Sequence, residues 1–186
     1  MNFPCTNTGR VLAVHLSATH SFSKASVAGI ELVAGLGVLG DAHSGATVRH
    51  RSRVARDPTA PNLRQIHLIA VETLHELAEA GFDVRPGDLG ENITTQGVDL
   101  AALLTGTRLV FDGGCVVEVT GLRNPCHQIE TFRTGLLSQV RVELGDGSIE
   151  RRVGVMGIVI VGGPITPAES FSVVAPPFGA SPLVVV

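Results

Sequence analysis

Short apolar runs rich in Val, Ile and Leu, separated by glycine and proline, set the hydrophobic pattern of this chain. Segments of this length and composition, bounded by turn-forming residues, are typical of β-strands. The pattern predicts eight strands: Val11–Leu16, Gly29–Val33, Gln65–Ala70, Arg108–Phe111, Val116–Thr120, Gln139–Leu144, Val153–Val161 and Ser170–Val174.

Helical periodicity is much rarer. Only Val71–Ala80 has a clear helical pattern, with its apolar side chains on one face and Gly81 following as a C-cap. A second, short helix is predicted over Asp99–Leu104, whose first residue is a suitable N-cap. The glycines of Gly145–Gly147 predict a hairpin turn between two strands.

Many short strands with few helices predict a closed or nearly closed β-barrel of the mainly β (α+β) class, with one or two short helices and long loops. The 186 residues suit a single domain, 1–186, that buries roughly 70% of the surface of the unfolded chain. Ala42–Pro61 lacks apolar periodicity and is predicted to be a mobile functional loop. Residues 175–186 are predicted to be a C-terminal tail, ending in either a loose strand or an interface segment.

The charge balance excludes some classes of protein. The chain has 17 acidic and 14 basic residues, a net charge of −3, which argues against a general nucleic-acid binder. Its three cysteines form no CxxC motif, so neither a disulfide framework nor a zinc knuckle is indicated, and a reducing compartment is expected. No apolar run has transmembrane length and no signal peptide is recognisable, so we expect a cytoplasmic protein with no membrane partner.

The segment with the most chemical information is residues 120–128, Thr-Gly-Leu-Arg-Asn-Pro-Cys-His-Gln. It places Cys126 just after a predicted strand, between Arg123 and His127. Positive charge near a thiol favours the thiolate, which is the nucleophile and the ligand for soft metals. Cys126 is therefore the first candidate for the chemistry, with a buried, inert cysteine as the open alternative.

Two further segments are rich in polar groups. In residues 40–45, Asp41 and His43 place a carboxylate and an imidazole two residues apart, which suits a polar ligand or a simple Asx turn. Residues 86–95 combine turn formers with side chains that can hold a heterocycle or a phosphate, or can stabilise a tight turn. Both interpretations stay open for each segment.

Other site types find no support. The histidines and cysteines lack HxxxH or CxxC spacing for zinc, and no GxSxG serine motif occurs. Gly35–Gly40 matches GxGxxG, but no βαβ unit follows it. The single lysine, Lys24, lies among serine and alanine, so no pyridoxal phosphate site is recognisable.

Five segments, taken together and in this order, resemble the MOSC family, which is named for the C-terminal domain of molybdenum cofactor sulfurase. The resemblance covers about residues 10–174, with residues 175–186 as a tail. The segments are 40–43 (GDAH), 62–69 (NLRQIHLI), 86–95 (PGDLGENITT), 120–128 (TGLRNPCHQ) and 154–157 (GVMG).

The resemblance implies a stand-alone MOSC-type β-barrel in which Cys126 either carries persulfide sulfur or coordinates the molybdenum of a bound molybdopterin. Family members that hold the cofactor reduce N-hydroxylated compounds, and the sulfurase domain serves cofactor sulfuration. The chain carries neither a ferredoxin-type cysteine set nor an aminotransferase-like domain. A reductase would therefore need an external electron donor, and a sulfur carrier an external cysteine desulfurase.

We therefore expect a molybdenum cofactor enzyme that acts on a small molecule, with Cys126 as metal ligand and His43 or His127 delivering protons. Two alternatives stay open: a sulfur carrier with a persulfide on Cys126, and a non-catalytic module that binds an anionic metabolite. The oligomeric state leaves no signal in the sequence. The residues expected to hold the cofactor are Asp41, Arg49, Arg64, Gly90, Glu91, Asn92, Thr94, Thr95, Arg123 and Asn124.

Overall fold

The computed structural model describes residues 8–49, 54–55, 57–176 and 179–186, and within them the chain is mostly strand. The strands are β1 Thr8–Leu16, β2 Ala25–Val27, β3 Ile30–Val33, β4 Gly37–Val38, β5 Ile66–Ala70, β6 Ile93–Gln96, β7 Arg108–Phe111, β8 Val116–Leu122, β9 Arg141–Glu143, β10 Ile149–Arg151, β11 Val155–Val161, β12 Gly163–Ile165 and β13 Ser170–Val174. The helices in the described ranges are α1 Val71–Glu79, α2 His127–Phe132 and α3 Leu136–Val140.

Seven strands close into a barrel in the order β1, β6, β5, β11, β8, β7, β13, and β13 pairs back with β1. All these neighbours are antiparallel except β5 and β6, which run parallel. Strand β2 extends the sheet beside β1, while β12, β3 and β4 form a small second sheet and β9 and β10 a hairpin. The predicted mainly β barrel with short helices is confirmed.

Two groups of buried apolar side chains stabilise the fold. The first fills the barrel and includes Leu68, Val117 and the rings of Phe111 and Phe171, whose centroids are 5.3 Å apart. The second lies between the barrel wall and the helices and contains Ile69, Leu74, Leu77, Val84, Leu89, Ile129, Leu136, Val140 and Val153. Burial of this apolar surface supplies most of the stability and fixes the loops at one end of the barrel.

Helix α1 ends as its sequence predicts. Gly81 has a φ of +89°, its N–H donates to the Ala78 carbonyl at 2.9 Å, and the Phe82 N–H donates to the Leu77 carbonyl at 2.8 Å. This pair of bonds is a Schellman motif, which requires a left-handed residue and therefore favours glycine. The predicted helix and its C-cap are confirmed.

Two predicted elements are wrong. Asp99–Leu104 is a single turn, in which the Asp99 carboxylate accepts the N–H groups of Ala101 and Ala102 at 3.0 and 3.2 Å. The first part of the predicted strand Gln139–Leu144 belongs to α3, and only β9 is extended. Leu136 and Val140, one helical turn apart, are both fully buried, so packing selects a helix there.

The last residues of the chain lie against β8. The Leu122 N–H donates to the Val184 carbonyl at 2.8 Å, Val185 pairs with Leu122, and Leu183 is buried with the barrel core. A Cβ on Gly121 would collide with the Val184 carbonyl oxygen, so only glycine permits this approach. In the predicted loop 42–61, His50, Arg51, Arg53 and Arg56 lie outside the described residues.

In the part of the chain that the structure describes, none of the helices has the length and apolar character needed to cross a membrane.

Candidate functional site

A cavity of about 310 Å³ opens at the end of the barrel where β1 and β8 finish and β5, β6 and β11 begin. Its walls come from the loop between β1 and β2, the segments before β5 and β6, and the residues after β8. The loop ends are held by Asn62, which is 4% exposed and whose amide donates to the carbonyls of His43 and Gly45 at 3.0 and 2.9 Å. The barrel thus brings together residues from six separate stretches of the sequence, within 21–24, 43–49, 61–67, 90–92 and 123–128 and at Met156.

The charge of this cavity has one sign. Lys24, Arg49, Arg64 and Arg123 line it, and the described residues that line it include no aspartate or glutamate. The chain as a whole carries a net charge of −3, so the four cations in this cavity give it a charge opposite in sign to that of the whole chain. Such a cavity attracts anions, and its arginines are suited to phosphate and carboxylate groups.

Lys24 is anchored from behind by a buried carboxylate. Its Nζ lies 2.6 Å from Asp41 Oδ2, and the two side chains are 4% and 2% exposed. The Asn92 amide also donates to Asp41 Oδ2, at 3.0 Å. Burial lowers the pKa of Lys24, against the opposing attraction of Asp41. Burial alone would raise the pKa of Asp41, but hydrogen bonds from His43 and the Lys24 charge outweigh it and lower that pKa.

His43 is oriented by the same carboxylate. Asp41 Oδ1 accepts the His43 backbone N–H at 2.9 Å and lies 3.2 Å from His43 Nδ1. The first of these bonds forms the Asx turn that the sequence allowed, and the second leaves Nε2 as the ring nitrogen available to a ligand. The His20 ring packs edge-on against His43, with centroids 5.1 Å apart.

Cys126 lies in the cavity wall, half-buried, in extended backbone immediately before α2. Its Sγ is 3.5 Å from Gln128 Oε1. Arg123 interacts electrostatically with Cys126 and, more weakly, with Glu91, while burial lowers the pKa of its guanidinium. Arg123 Nη1 is buried and has no hydrogen-bond partner in the part of the chain that the structure describes. A soft thiol group beside a buried guanidinium is a suitable ligand for a soft metal or for sulfane sulfur.

His67 lies on β5 and lines the same cavity, but its ring is held by the protein. Its Nε2 donates to the Val153 carbonyl at 2.7 Å, and burial, together with the positive charge of Arg123, places its pKa well below the ordinary value. His67 is therefore a neutral histidine that stabilises the start of β11.

Behind the cavity wall lies a buried polar chain. Glu91 Oε1 accepts the Gly87 N–H at 2.6 Å and the Thr94 hydroxyl at 3.1 Å, and Thr94 is 2.9 Å from His15 Nε2. Burial raises the pKa of Glu91, and burial followed by the Lys24 charge lowers the pKa of His15 to about 4. These contacts fix the turn before β6, so the polar residues of 86–95 also have a structural role.

The structure separates the residues expected at the site into two sets. Asp41, Glu91, Thr94 and Thr95 lie behind the cavity wall, buried among protein partners, and His127 is exposed on α2 and does not line the cavity. The residues that line it are His43, Arg49, Arg64, Gly90, Asn92, Arg123, Asn124 and Cys126. Lys24 and His67 also line the cavity but were not predicted from the sequence to do so. The sequence signal for Lys24 was that it is the single lysine of the chain.

Gly154 fixes the wall that carries Arg123. It has a φ of +76°, its carbonyl accepts the Arg123 N–H at 3.1 Å, and an added Cβ would collide with the Leu68 carbonyl oxygen. A left-handed non-glycine residue costs about 1–3 kcal/mol, and the collision adds to that cost. We expect Gly154→Ala to lower the free energy of unfolding by more than about 2 kcal/mol in urea denaturation.

The control for this variant is Gly145→Ala, in the β9–β10 turn, where an added Cβ has nothing within 4 Å and φ is not left-handed. Its unfolding free energy should stay within about 0.5 kcal/mol of that of the wild type. Equal stability of the two variants would contradict the role given to Gly154.

The comparisons with known proteins agree with this fold. The MOSC domain family matches residues 46–167, more than half of the chain. YuaD of Bacillus subtilis, which is named as a metal-sulfur cluster biosynthesis protein, is 27% identical over 161 residues, 83% of this chain and 82% of its own.

Solved structures show the same fold. The crystal structure of Bacillus subtilis YuaD superposes with a TM-score of 0.73 at 24% identity, over 89% of this chain and 95% of that one. YiiM of Escherichia coli superposes with a TM-score of 0.58 at 19% identity, over 92% and 73%. The chain belongs to the MOSC domain family.

Proposed function

We propose that the cavity binds a molybdenum cofactor, with Cys126 as the ligand to the metal. The observation that carries the proposal is the lining itself, which combines four cationic side chains and a thiol with no carboxylate among its described residues. Molybdopterin presents a phosphate, which suits lysine and arginine, and a metal that prefers soft sulfur ligands. The volume of about 310 Å³ is at the lower end of the range for small-molecule sites.

The residues present fit such a group. Lys24, Arg49 and Arg64 would bind its anionic part, and the side-chain amides of Asn92 and Asn124 could contact a heterocycle edge. When bound, the molybdenum supplies two-electron redox chemistry, which in the reduction of an N-hydroxylated compound needs an external electron donor. His43, whose Nδ1 is held by Asp41, would in its doubly protonated form donate the Nε2 proton to a departing hydroxyl group.

Metal and pterin analysis tests the proposal directly. Protein purified from cells that make the cofactor should contain molybdenum and pterin at close to one equivalent, and protein from cells that cannot make it should contain neither. Absence of both from protein made in cofactor-producing cells would contradict the proposal.

Removing one cavity charge should weaken retention of the cofactor. Arg49 is exposed at the cavity edge, so Arg49→Gln leaves the fold intact while removing a charged hydrogen-bond donor. Such a bond contributes about 1.5–3 kcal/mol, so we expect roughly tenfold or greater loss of pterin affinity in dialysis experiments. The matched control is Arg85→Gln, whose side chain is 77% exposed in a surface pair and which does not line the cavity.

A second function is favoured by one observation, the half-buried Cys126 beside Arg123 in an open cavity. The thiolate of Cys126 could attack the terminal sulfur of a desulfurase persulfide, forming a new S–S bond while the desulfurase cysteine leaves as a thiolate. The name of YuaD, a metal-sulfur cluster biosynthesis protein, agrees with sulfur handling in a relative. Incubation with a cysteine desulfurase and cysteine should then add the mass of one sulfur atom to Cys126 alone.

A further inference from the structure

A second cavity, of about 390 Å³, is lined by α1, by the residues after β6 and by strand β10. It shares no lining residue with the Cys126 cavity. One backbone hydrogen bond connects the walls of the two cavities. The carbonyl of Gly154, which lines the second cavity, accepts the N–H of Arg123, which lines the first. Because the two cavities share no lining residue, the second is a separate site and not an extension of the first.

Its charge pattern differs from that of the first cavity because both signs are present. Glu72, Glu76, Asp99 and Glu150 contribute carboxylates, and Arg151 and Arg152 contribute guanidinium groups. Arg152 and Glu150 pair with each other at 2.7 Å. Three carboxylates and the Arg151 guanidinium remain, so the cavity favours a ligand with positive charge that also carries an anionic group.

Two buried atoms of opposite charge, on side chains that line this cavity, have no hydrogen-bond partner among the described residues. Glu72 Oε1 accepts the Gly97 N–H at 2.8 Å, but its Oε2 is buried with no hydrogen-bond partner. Arg151 Nη1 donates to the Ile149 carbonyl at 3.0 Å, but its Nε is likewise buried without one. A buried polar atom without a partner costs about 1–3 kcal/mol, and the protein does not remove this cost by pairing the two groups.

We propose that this second cavity binds a small zwitterion of amino-acid size, with its ammonium group at Glu72 and its carboxylate at Arg151. An ammonium group fits better than a metal ion, because the described residues contain no cluster of three or more histidine, cysteine or acidic side chains placed to hold one. Val98 and Leu100 line the same cavity and offer apolar contact to an aliphatic side chain. Since carboxylates are in excess, a basic amino acid binds more tightly than a neutral one, and an acidic one binds least.

Isothermal titration calorimetry with L-arginine, L-alanine and L-glutamate tests the expected order of affinity. Argininamide, which lacks the carboxylate, and N-acetyl-L-arginine, which lacks the α-ammonium group, should each bind roughly tenfold more weakly than L-arginine. Argininamide binding as tightly as L-arginine would show a simple cation site and overturn the proposal. Absence of heat with all of these ligands at millimolar concentration would overturn it as well.

Variants locate the site. Glu72→Gln keeps an acceptor for the Gly97 N–H while removing the charge, and Arg151→Gln removes the guanidinium; each should weaken L-arginine binding roughly tenfold. Glu79→Gln, at the exposed last residue of α1 and outside the cavity lining, should bind L-arginine like the wild type. If Glu72→Gln does not fold by circular dichroism, the Arg151→Gln titration decides. Unchanged affinity in a folded variant of either residue overturns the proposal.

Discussion

Cys126→Ser should purify without molybdenum from cells in which the wild type acquires it. A serine hydroxyl is a hard and weakly acidic donor, whereas a thiolate is the soft ligand that the metal requires. The four cations that line the cavity are unchanged in the variant, so its pterin content should fall less than its metal content. Metal content by mass spectrometry and pterin content by fluorescence after release measure the two losses separately.

Cys115→Ser is the matched control because it makes the same chemical change away from the cavity. Cys115 is fully buried in the barrel core, its Sγ donates to the Pro164 carbonyl at 3.5 Å, and burial raises the pKa of its thiol. A folded Cys115→Ser protein should keep its molybdenum. If Cys126→Ser kept stoichiometric molybdenum, Cys126 would not be the metal ligand. The persulfide carrier would then be the better account of that cysteine.

Much of the barrel could be predicted because its strands are locally encoded. β7 and β13 begin and end at the predicted residues, and α1 carries both an apolar face and a C-capping glycine. Strand β6 was missed because Ile93–Gln96 is short and follows a turn-rich segment that suggests only a loop. Its extended form depends on pairing with β5 and β1, which are distant in sequence, so local pattern alone does not reveal it.

The candidate site, like the barrel, could be predicted from the sequence only where its residues lie close together along the chain. The chemistry of Cys126 and Arg123 is readable from nine consecutive residues, because a thiol, a guanidinium and a turn lie together there. The roles of Lys24 and Asp41 are not readable, since they belong to different loops and meet only after the barrel closes. Asp41 was expected to touch the ligand, but it is buried behind the cavity wall and is the counter-ion of Lys24, which lines the cavity.

Asp41→Asn should be among the most destabilising single substitutions in the chain. Asparagine keeps the shape of the side chain and an acceptor for the His43 N–H, but it leaves the buried Lys24 ammonium without a counter-ion. Breaking a buried ion pair in this way costs about 3–5 kcal/mol of unfolding free energy. The control is Asp83→Asn, which breaks a surface pair with Arg85 and should cost about 0–1 kcal/mol. Circular dichroism is the appropriate probe because the chain has no tryptophan or tyrosine.

The double variant Lys24→Met/Asp41→Asn separates the cost of an unpaired charge from the value of the pair. In the double variant neither side chain of the pair is charged, so neither leaves an unpaired buried charge. Most of the unfolding free energy lost in Asp41→Asn should therefore return. A double variant no more stable than Asp41→Asn would mean that Asp41 acts through its other hydrogen bonds. If stability returns while pterin retention falls, the Lys24 charge serves ligand binding and not the fold, as the proposed cofactor-binding role of the cavity predicts for a cation in its wall.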